Sequence, residues 1–216
     1  MTTFKIHLLA ILAAILLSNG LASRAYGVVT ATCGIDALQN TQDVLCGNGI
    51  CTSGTLGLVR VTTAIDVTSG GCQFDLGGRA LSFEKTFEMT GLGFIKVINA
   101  GNITLTSTGK LKARGDYVQP NGFIIGGGLI SLTSSGTIDI DGTIDVTGDS
   151  AGTVRLVAAQ DIMLQSGATI DGPGITSFVD EGGRFTDGGE LDATAQAGSI
   201  TINGDITLSG RSGGTG

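Results

Sequence analysis

The sequence predicts an all-β chain that winds into a parallel β-helix, a solenoid of stacked coils. Three observations predict this fold. Short runs in which apolar and polar residues alternate recur along most of the 216 residues. Glycine occurs 37 times and proline only twice, whereas charged residues make up 14% of the chain. The connections between runs are too short for helices, so we expect each run to stack on its counterpart in the next coil.

The first 27 residues are expected to form a secretory signal peptide. Lys5 supplies a positive charge, and an unbroken apolar run follows over residues 8–17. That run is too short to cross a membrane as a helix, which takes about 20 residues. Cleavage fits after Ala22, Ala25 or Gly27. We therefore expect an exported protein, extracellular or on a bacterial cell surface, with no transmembrane segment in the mature chain.

Removal of this leader limits the chemistry that the protein can perform. The only histidine, His7, lies in the leader, so the mature chain has none. This excludes Ser-His-Asp and Cys-His catalysis and every metal site that needs a histidine ligand. A formal net charge of −7 argues against a nucleic-acid partner. We predict no catalytic residue and no cofactor, and calcium is the one ion left open.

The segment 28–72 is predicted to be an N-terminal cap stapled by disulfides. It holds Cys33, Cys46, Cys51 and Cys72. An even number of cysteines behind a signal peptide predicts two disulfides, and three pairings stay open. Zinc is the alternative use of four cysteines, but the segment contains no Cys-x-x-Cys pair. The repeats proper are then expected over residues 73–216.

Three short phrases define the repeats. The first phrase begins at Gly101, Gly128, Gly152 and Gly198, and these glycines are 27, 24 and 46 residues apart. The second begins at Gly109, Gly136, Asp161 and Asp205, and the third at Gly142 and Ala168. This spacing predicts coils of about 23–27 residues. The aliphatic pairs expected to face the interior include Ile103/Leu105, Ile130/Leu132, Ile138/Ile140 and Ile144/Val146.

Both ends of the repeat region, and one stretch inside it, depart from this pattern. Near the start, Phe74, Phe83, Phe87 and Phe94 are expected to fill a larger first coil. The stretch 171–197, from Asp171 to Ala197, is rich in glycine and acids and is about as long as one coil, so it is either an insertion that leaves the stack or a coil with an outward loop. Its sequence partly resembles a calcium-binding nonapeptide, and a surface loop is the alternative. No closing cap is visible near residue 216, so we expect the repeats to continue or a partner to cover the open end.

Residues 95–216 resemble the filamentous-haemagglutinin type of β-helix found in bacterial surface proteins and autotransporter passengers. The Gly-x-Ile-x-Leu and Gly-x-Ile-x-Ile phrases carry the resemblance, among them those in residues 128–146. The resemblance implies right-handed coils and a role in adhesion or surface display. Its implied partners are a host ligand, a matrix ligand or a polysaccharide.

Two groups of residues are candidate sites. Arg114, Gly115 and Asp116 form an Arg-Gly-Asp triplet at a predicted corner, where it is either a receptor-binding motif or ordinary turn chemistry. Asp139, Asp141 and Asp145 alternate with buried aliphatics and are expected to point outward, with Asp139 and Asp141 about 7 Å apart on one strand. Such carboxylates can form a solvated acidic face, bind Ca²⁺, or act as acid and base on a polysaccharide.

We therefore expect a structural, adhesin-like β-helix scaffold without catalysis of its own. A carbohydrate-active β-helix enzyme, either a polysaccharide lyase or a hydrolase, is the first alternative. A Ca²⁺-dependent component of an extracellular matrix is the second.

Overall fold

The computed structural model describes residues 30–33, 58–67, 71–90, 93–115, 127–148, 151–174 and 188–210. The predicted signal peptide, Cys46 and Cys51 lie outside these ranges. Within them, every regular element is a β-strand, and the strands are short because a glycine or a polar turn ends each one after three to seven residues.

The strands follow one another in groups of three. Strand β1 (Thr30–Cys33) precedes the coils. The first coil contains β2 (Leu58–Val61), β3 (Ile65–Val67) and β4 (Gly71–Asp75). The second contains β5 (Ala80–Phe83), β6 (Thr86–Thr90) and β7 (Phe94–Ala100). The third contains β8 (Ile103–Leu105), β9 (Lys110–Arg114) and β10 (Leu129–Ser134). The fourth contains β11 (Ile138–Ile140), β12 (Thr143–Asp145) and β13 (Thr153–Ala158). The fifth contains β14 (Ile162–Leu164), β15 (Thr169–Asp171) and β16 (Glu190–Ala195), and β17 (Ile200–Ile202) and β18 (Asp205–Thr207) follow it.

Equivalent strands of successive coils stack into three sheets. Sheet 1 holds β1 and the third strand of each coil, sheet 2 the first strands with β17, and sheet 3 the second strands with β18. The coils pair with one another in parallel in all three sheets, and β1 alone among the described strands runs antiparallel, along β4. The predicted all-β parallel β-helix is confirmed at this level.

The register fixes the length of each coil. Val59 lies opposite Leu81 and Ile138 lies opposite Ile162, so these coils take 22 and 24 residues, close to the predicted 23–27. Ile103 lies opposite Ile138, so that coil takes 35. The additional residues fall between β9 and β10, and a second long connection lies between β15 and β16. Both connections therefore join a strand of sheet 3 to a strand of sheet 1.

The predicted alignment of the phrases is wrong. The phrases at Gly101 and Gly198 contain β8 and β17 of sheet 2, whereas those at Gly128 and Gly152 contain β10 and β13 of sheet 1. The second phrase is divided in the same way between sheets 2 and 3. The physical reason is that every strand needs the same sequence, a corner glycine followed by alternating inward aliphatics. The phrase therefore marks a strand but not the sheet that contains it.

One continuous apolar core runs through the coils. The predicted inward pairs from Ile103 to Val146 are all fully buried. In the first two coils, the Phe87 ring packs edge-on against Phe74, with ring centroids 5.3 Å apart, and against Phe83 at 6.5 Å. Phe94 departs from the prediction, because it alternates with buried Ile95 in β7 and points outward.

Strands of the coils also lie in two segments to which the sequence assigns other features. The first coil strand, β2, lies inside the segment 28–72 that is predicted to form the cap. Within 171–197, β16 pairs in register with β13 along its whole length, as the alternative of a coil with an outward loop requires. In both cases the repeat is present, but turn residues and acids break the alternating pattern by which it is recognised.

Candidate functional site

A groove of about 760 Å³ lies on the outer face of sheet 1, beside the corner between sheets 3 and 1. Gly93, Gly127, Gly128, Ala151 and Gly152 line its corner side, where the small residues leave the backbone open. The strands across its floor are β7, β10, β13 and β16. Neighbouring strands lie about 4.8 Å apart, so these four span about 14 Å along the stack.

The apolar part of the groove consists of Phe94 and Leu129, which lie opposite each other on β7 and β10. Phe94 is 40% exposed and Leu129 37% exposed, whereas most outward positions of the coils carry polar residues. The Phe94 ring rests where the side chain of residue 71 would stand, because Gly71 has none and a Cβ there would collide with the ring. Gly71 therefore lets the ring lie against the neighbouring strand at the edge of the groove.

Polar and charged side chains surround this apolar patch. They are Lys96, Ser131, Thr153, Arg155, Glu190 and Asp192. Arg155 and Asp192 lie opposite each other and form an ion pair of 3.3 Å, with both side chains about half exposed. An exposed pair of this kind contributes little to stability. The ion pair leaves the hydrogen-bond donors of Arg155 and the acceptors of Asp192 at the surface, where a bound molecule can contact them.

The Arg-Gly-Asp triplet lies at the end of β9. The Arg114 guanidinium donates from Nε to Asp145 Oδ2 at 2.7 Å, and the Gly115 N–H donates to the Thr147 carbonyl at 3.1 Å. Asp116 lies outside the described residues. Arg114 is therefore held on the next coil by an ion pair, and receptor binding by the triplet stays a prediction.

The three predicted acidic residues do not share one face. Asp139 lies on β11 in sheet 2 and accepts a hydrogen bond from Gln165 Nε2 at 2.7 Å. Asp141 lies beyond the end of β11, in the turn, so the prediction that it shares a strand with Asp139 is wrong. Asp145 lies on β12 in sheet 3 and is only 6% exposed, so it does not belong to a solvated acidic face. Because the strands are only three residues long and tight turns separate them, residues that are close in the sequence lie on different sheets.

A carboxylate pair that the sequence did not predict lies on sheet 3. Asp145 and Asp171 occupy opposite positions of β12 and β15, and Asp205 lies on the next strand, β18. Asp145 accepts from Arg114 and from the Thr147 N–H at 3.0 Å. Burial, and then the charges of Asp145 and Asp205, raise the pKa of Asp171. The sequence signal is the Thr-Ile-Asp at 143–145, which recurs at 169–171.

Cys33 and Cys72 lie opposite each other in the antiparallel pair of β1 and β4. Cys72 is fully buried and is not a free thiol. The described residues contain no group of three or more Cys, His, Asp or Glu side chains that is arranged to hold a metal ion. Calcium binding stays a prediction without a described site. The described residues also contain no helix long and apolar enough to span a membrane.

Comparisons with known proteins return no match. No model of a protein family matches the chain, and neither a curated protein nor a solved structure is significantly similar to it. The filamentous-haemagglutinin resemblance therefore stays a prediction that depends on the repeat phrases alone.

Proposed function

We propose that this protein is an exported β-helix scaffold of the adhesin type, which binds a polysaccharide along the outer face of sheet 1 and performs no catalysis. The observation that carries the proposal is the groove, where Phe94 and Leu129 are exposed among polar side chains. Binding sites for small and extended ligands combine apolar surface with a few placed polar groups. The proposal includes the expected right-handed coils and the disulfide-stapled N-terminal segment.

A polysaccharide fits the groove better than a globular partner does. The apolar surface is limited to one ring and one leucine, and hydroxyl and charged groups continue along the stack. A sugar presents an apolar face to an aromatic ring and hydroxyls to the polar side chains around it. Because the groove extends over four strands, it suits a chain of several sugar units.

The experiment is binding of the secreted protein to a panel of immobilised polysaccharides. Replacement of Phe94 by Ala should weaken binding about tenfold, the value of a lost contact of about 1.4 kcal/mol. Leu58→Ala is the matched control, since Leu58 is 37% exposed, close to the 40% of Phe94, but lies on β2 of sheet 2. Equal affinities of the two variants for every bound polysaccharide would contradict the proposal.

A carbohydrate-active enzyme is the second candidate, and the Asp145–Asp171 pair favours it. A raised pKa at Asp171 suits a general acid, and Asp145 lies opposite it in an ion pair with Arg114. If the protein turns over a polysaccharide, Asp145→Asn and Asp171→Asn should each abolish turnover. Asp139→Asn should not, because Asp139 lies on another sheet. A scaffold would show no turnover in any of these proteins.

Two further proposals concern what the protein contacts. The apolar end formed by the last strands is expected to be covered, either by further coils of the same chain or by a partner. If calcium holds part of the protein together, chelation should lower its melting temperature, since an ion bound only by the folded state stabilises that state.

A further inference from the structure

We propose that Cys33 forms a disulfide with Cys72, so that Cys46 pairs with Cys51. The inference deepens the proposed function, since it rests on export to an oxidising compartment. It selects one of the three pairings that the sequence leaves open, and it assigns the link between β1 and the first coil.

The register of the capping strand carries this inference. In the pair of β1 and β4, Thr30 lies opposite Asp75 and Cys33 opposite Cys72. Directly opposite residues of antiparallel strands have Cα atoms about 4.5–5.5 Å apart and side chains on the same face. A disulfide needs Cα atoms about 4.4–6.8 Å apart. The backbone of the two strands therefore meets the requirement without rearrangement.

The surroundings of Cys72 support the same pairing. Cys72 is fully buried, and its neighbours across the parallel ladder and along β4 are Ile95 and Phe74, which are also fully buried. Among the described strands, β1 flanks β4 on the side opposite β7, and it places Cys33 opposite Cys72. Cys46 and Cys51 then remain for each other, and they are separated by four residues that include two glycines.

The chemistry is a thiol–disulfide exchange with an oxidised dithiol oxidoreductase of the export compartment. The Cys72 thiolate attacks the disulfide of the oxidoreductase and displaces one of its sulfurs as a thiolate. The Cys33 thiolate then attacks the Cys72 sulfur, which releases the second sulfur of the oxidoreductase. The two cysteines lose two protons and two electrons, and the oxidoreductase leaves as a dithiol.

The staple would protect an edge of the solenoid. Without β1, the outer edge of β4 would offer unpaired backbone groups to other chains. The link holds β1 against that edge even when the hydrogen bonds of the pair open. We expect the reduced protein to exchange backbone amide hydrogens of β4 faster than the oxidised protein does.

The pairing is tested by peptide mapping of the full exported chain without reductant. A protease that cleaves before aspartate separates three cysteine-containing peptides: one that ends at Ile35, and those that span residues 43–65 and 66–74. The proposed pairing predicts that the first is linked to the third, and that peptide 43–65 has an internal disulfide. Either alternative pairing links all three peptides into one species and overturns the proposal.

The other outcomes separate this inference from the proposed function. Four free thiols in exported protein would overturn both the pairing and the oxidising compartment. If the chain is recovered from the cytoplasm with residues 1–27 attached, export fails. That protein, oxidised with glutathione disulfide, would still report the pairing through the same peptides. A linked first and third peptide with free thiols in peptide 43–65 would overturn the Cys46–Cys51 half.

Paired variants provide a second measurement. The double variant Cys33→Ser/Cys72→Ser should lower the melting temperature by about 10 °C, since it opens a loop of about 40 residues. It should also speed hydrogen exchange in β4. The control Cys46→Ser/Cys51→Ser opens a much shorter loop, so its melting temperature should fall less, and exchange in β4 should not change. The reverse order of effects would count against the proposal.

Discussion

Asp171 bears its charge in unfavourable surroundings. Partial burial and the neighbouring carboxylates of Asp145 and Asp205 raise its pKa above the ordinary value of 3.8. The folded state therefore holds this proton more tightly than the unfolded state does. The resulting destabilisation is present at neutral pH, declines as the pH falls through the raised pKa, and vanishes below the ordinary value.

Replacement of Asp171 by Asn should therefore stabilise the protein at pH 7. Because the side chain is only partly buried, solvent screening keeps the gain below about 1 kcal/mol, or roughly 2–4 °C in melting temperature for a chain of this size. Thermal unfolding followed by circular dichroism from pH 3 to pH 8 measures it. The gain should disappear near pH 3, and a gain that persists there would contradict this cause.

Asp161 provides the control with the opposite sign. Its carboxylate accepts hydrogen bonds from Ser199 N at 2.8 Å and Ser199 Oγ at 3.0 Å, and these bonds lower its pKa. The stabilisation from this group is present above the ordinary pKa and is lost as the pH falls through the lowered value. Asp161→Asn should lower the melting temperature at pH 7. If both variants shift it in the same direction, charge is not the cause.

At the scale of the strand, the corner between sheets 3 and 1 limits which residues fit. A Cβ on Gly152 would collide with backbone atoms of Gly127 and Gly128 in the preceding coil. Gly152→Val should therefore lower the free energy of unfolding by about 3 kcal/mol, since the backbone of both coils must move. Chemical denaturation measures it, and Gly152→Ala gives a milder change if the valine variant does not fold.

The matched control introduces the same side chain one residue later. Thr153 follows Gly152 and points outward at the start of β13, so Thr153→Val should change the free energy of unfolding by less than about 1 kcal/mol. If the two valine variants are equally stable, the coils can separate at this corner without cost.

Strands were easier to predict than their positions in the coil. Alternation at Ile138/Ile140 and Ile144/Val146 identifies buried residues correctly, because an inward aliphatic is required wherever a strand contacts the core. Alternation alone does not count residues in turns. It therefore placed Asp141 on a strand, although the chain turns there from sheet 2 to sheet 3.

The candidate site could not be predicted for the same reason. Phe94 and Leu129 are separated by 35 residues, and Asp145 and Asp171 by 26, so the coils that bring each pair together differ in length. Only the register of the sheets shows that each pair is adjacent. The local pattern does not indicate how many residues the long connection after β9 contains. A shift of one residue in the register of the next strand moves every side chain to the other face of the sheet.

At the scale of the whole molecule, the last described strands leave apolar side chains exposed at one end of the stack. Ile200 and Ile202 stack on Ile162 and Leu164, but they are 43% and 51% exposed, since no described residue covers their other side. Among the described strands, β16, β17 and β18 each lie at an edge of their sheet, and their outer edges offer backbone groups that another β-strand can pair with. A surface that joins apolar side chains to open strand edges favours association.

We expect the 216-residue chain to associate through this end at micromolar concentration. The double variant Ile200→Glu/Ile202→Glu places two charges in the apolar end and should weaken association at least tenfold, as measured by sedimentation velocity over a concentration series. Thr201→Glu is the control, because Thr201 alternates with both isoleucines and faces outward on the same strand. If the control weakens association as strongly as the double variant does, net charge explains the effect, and the apolar end is not the contact.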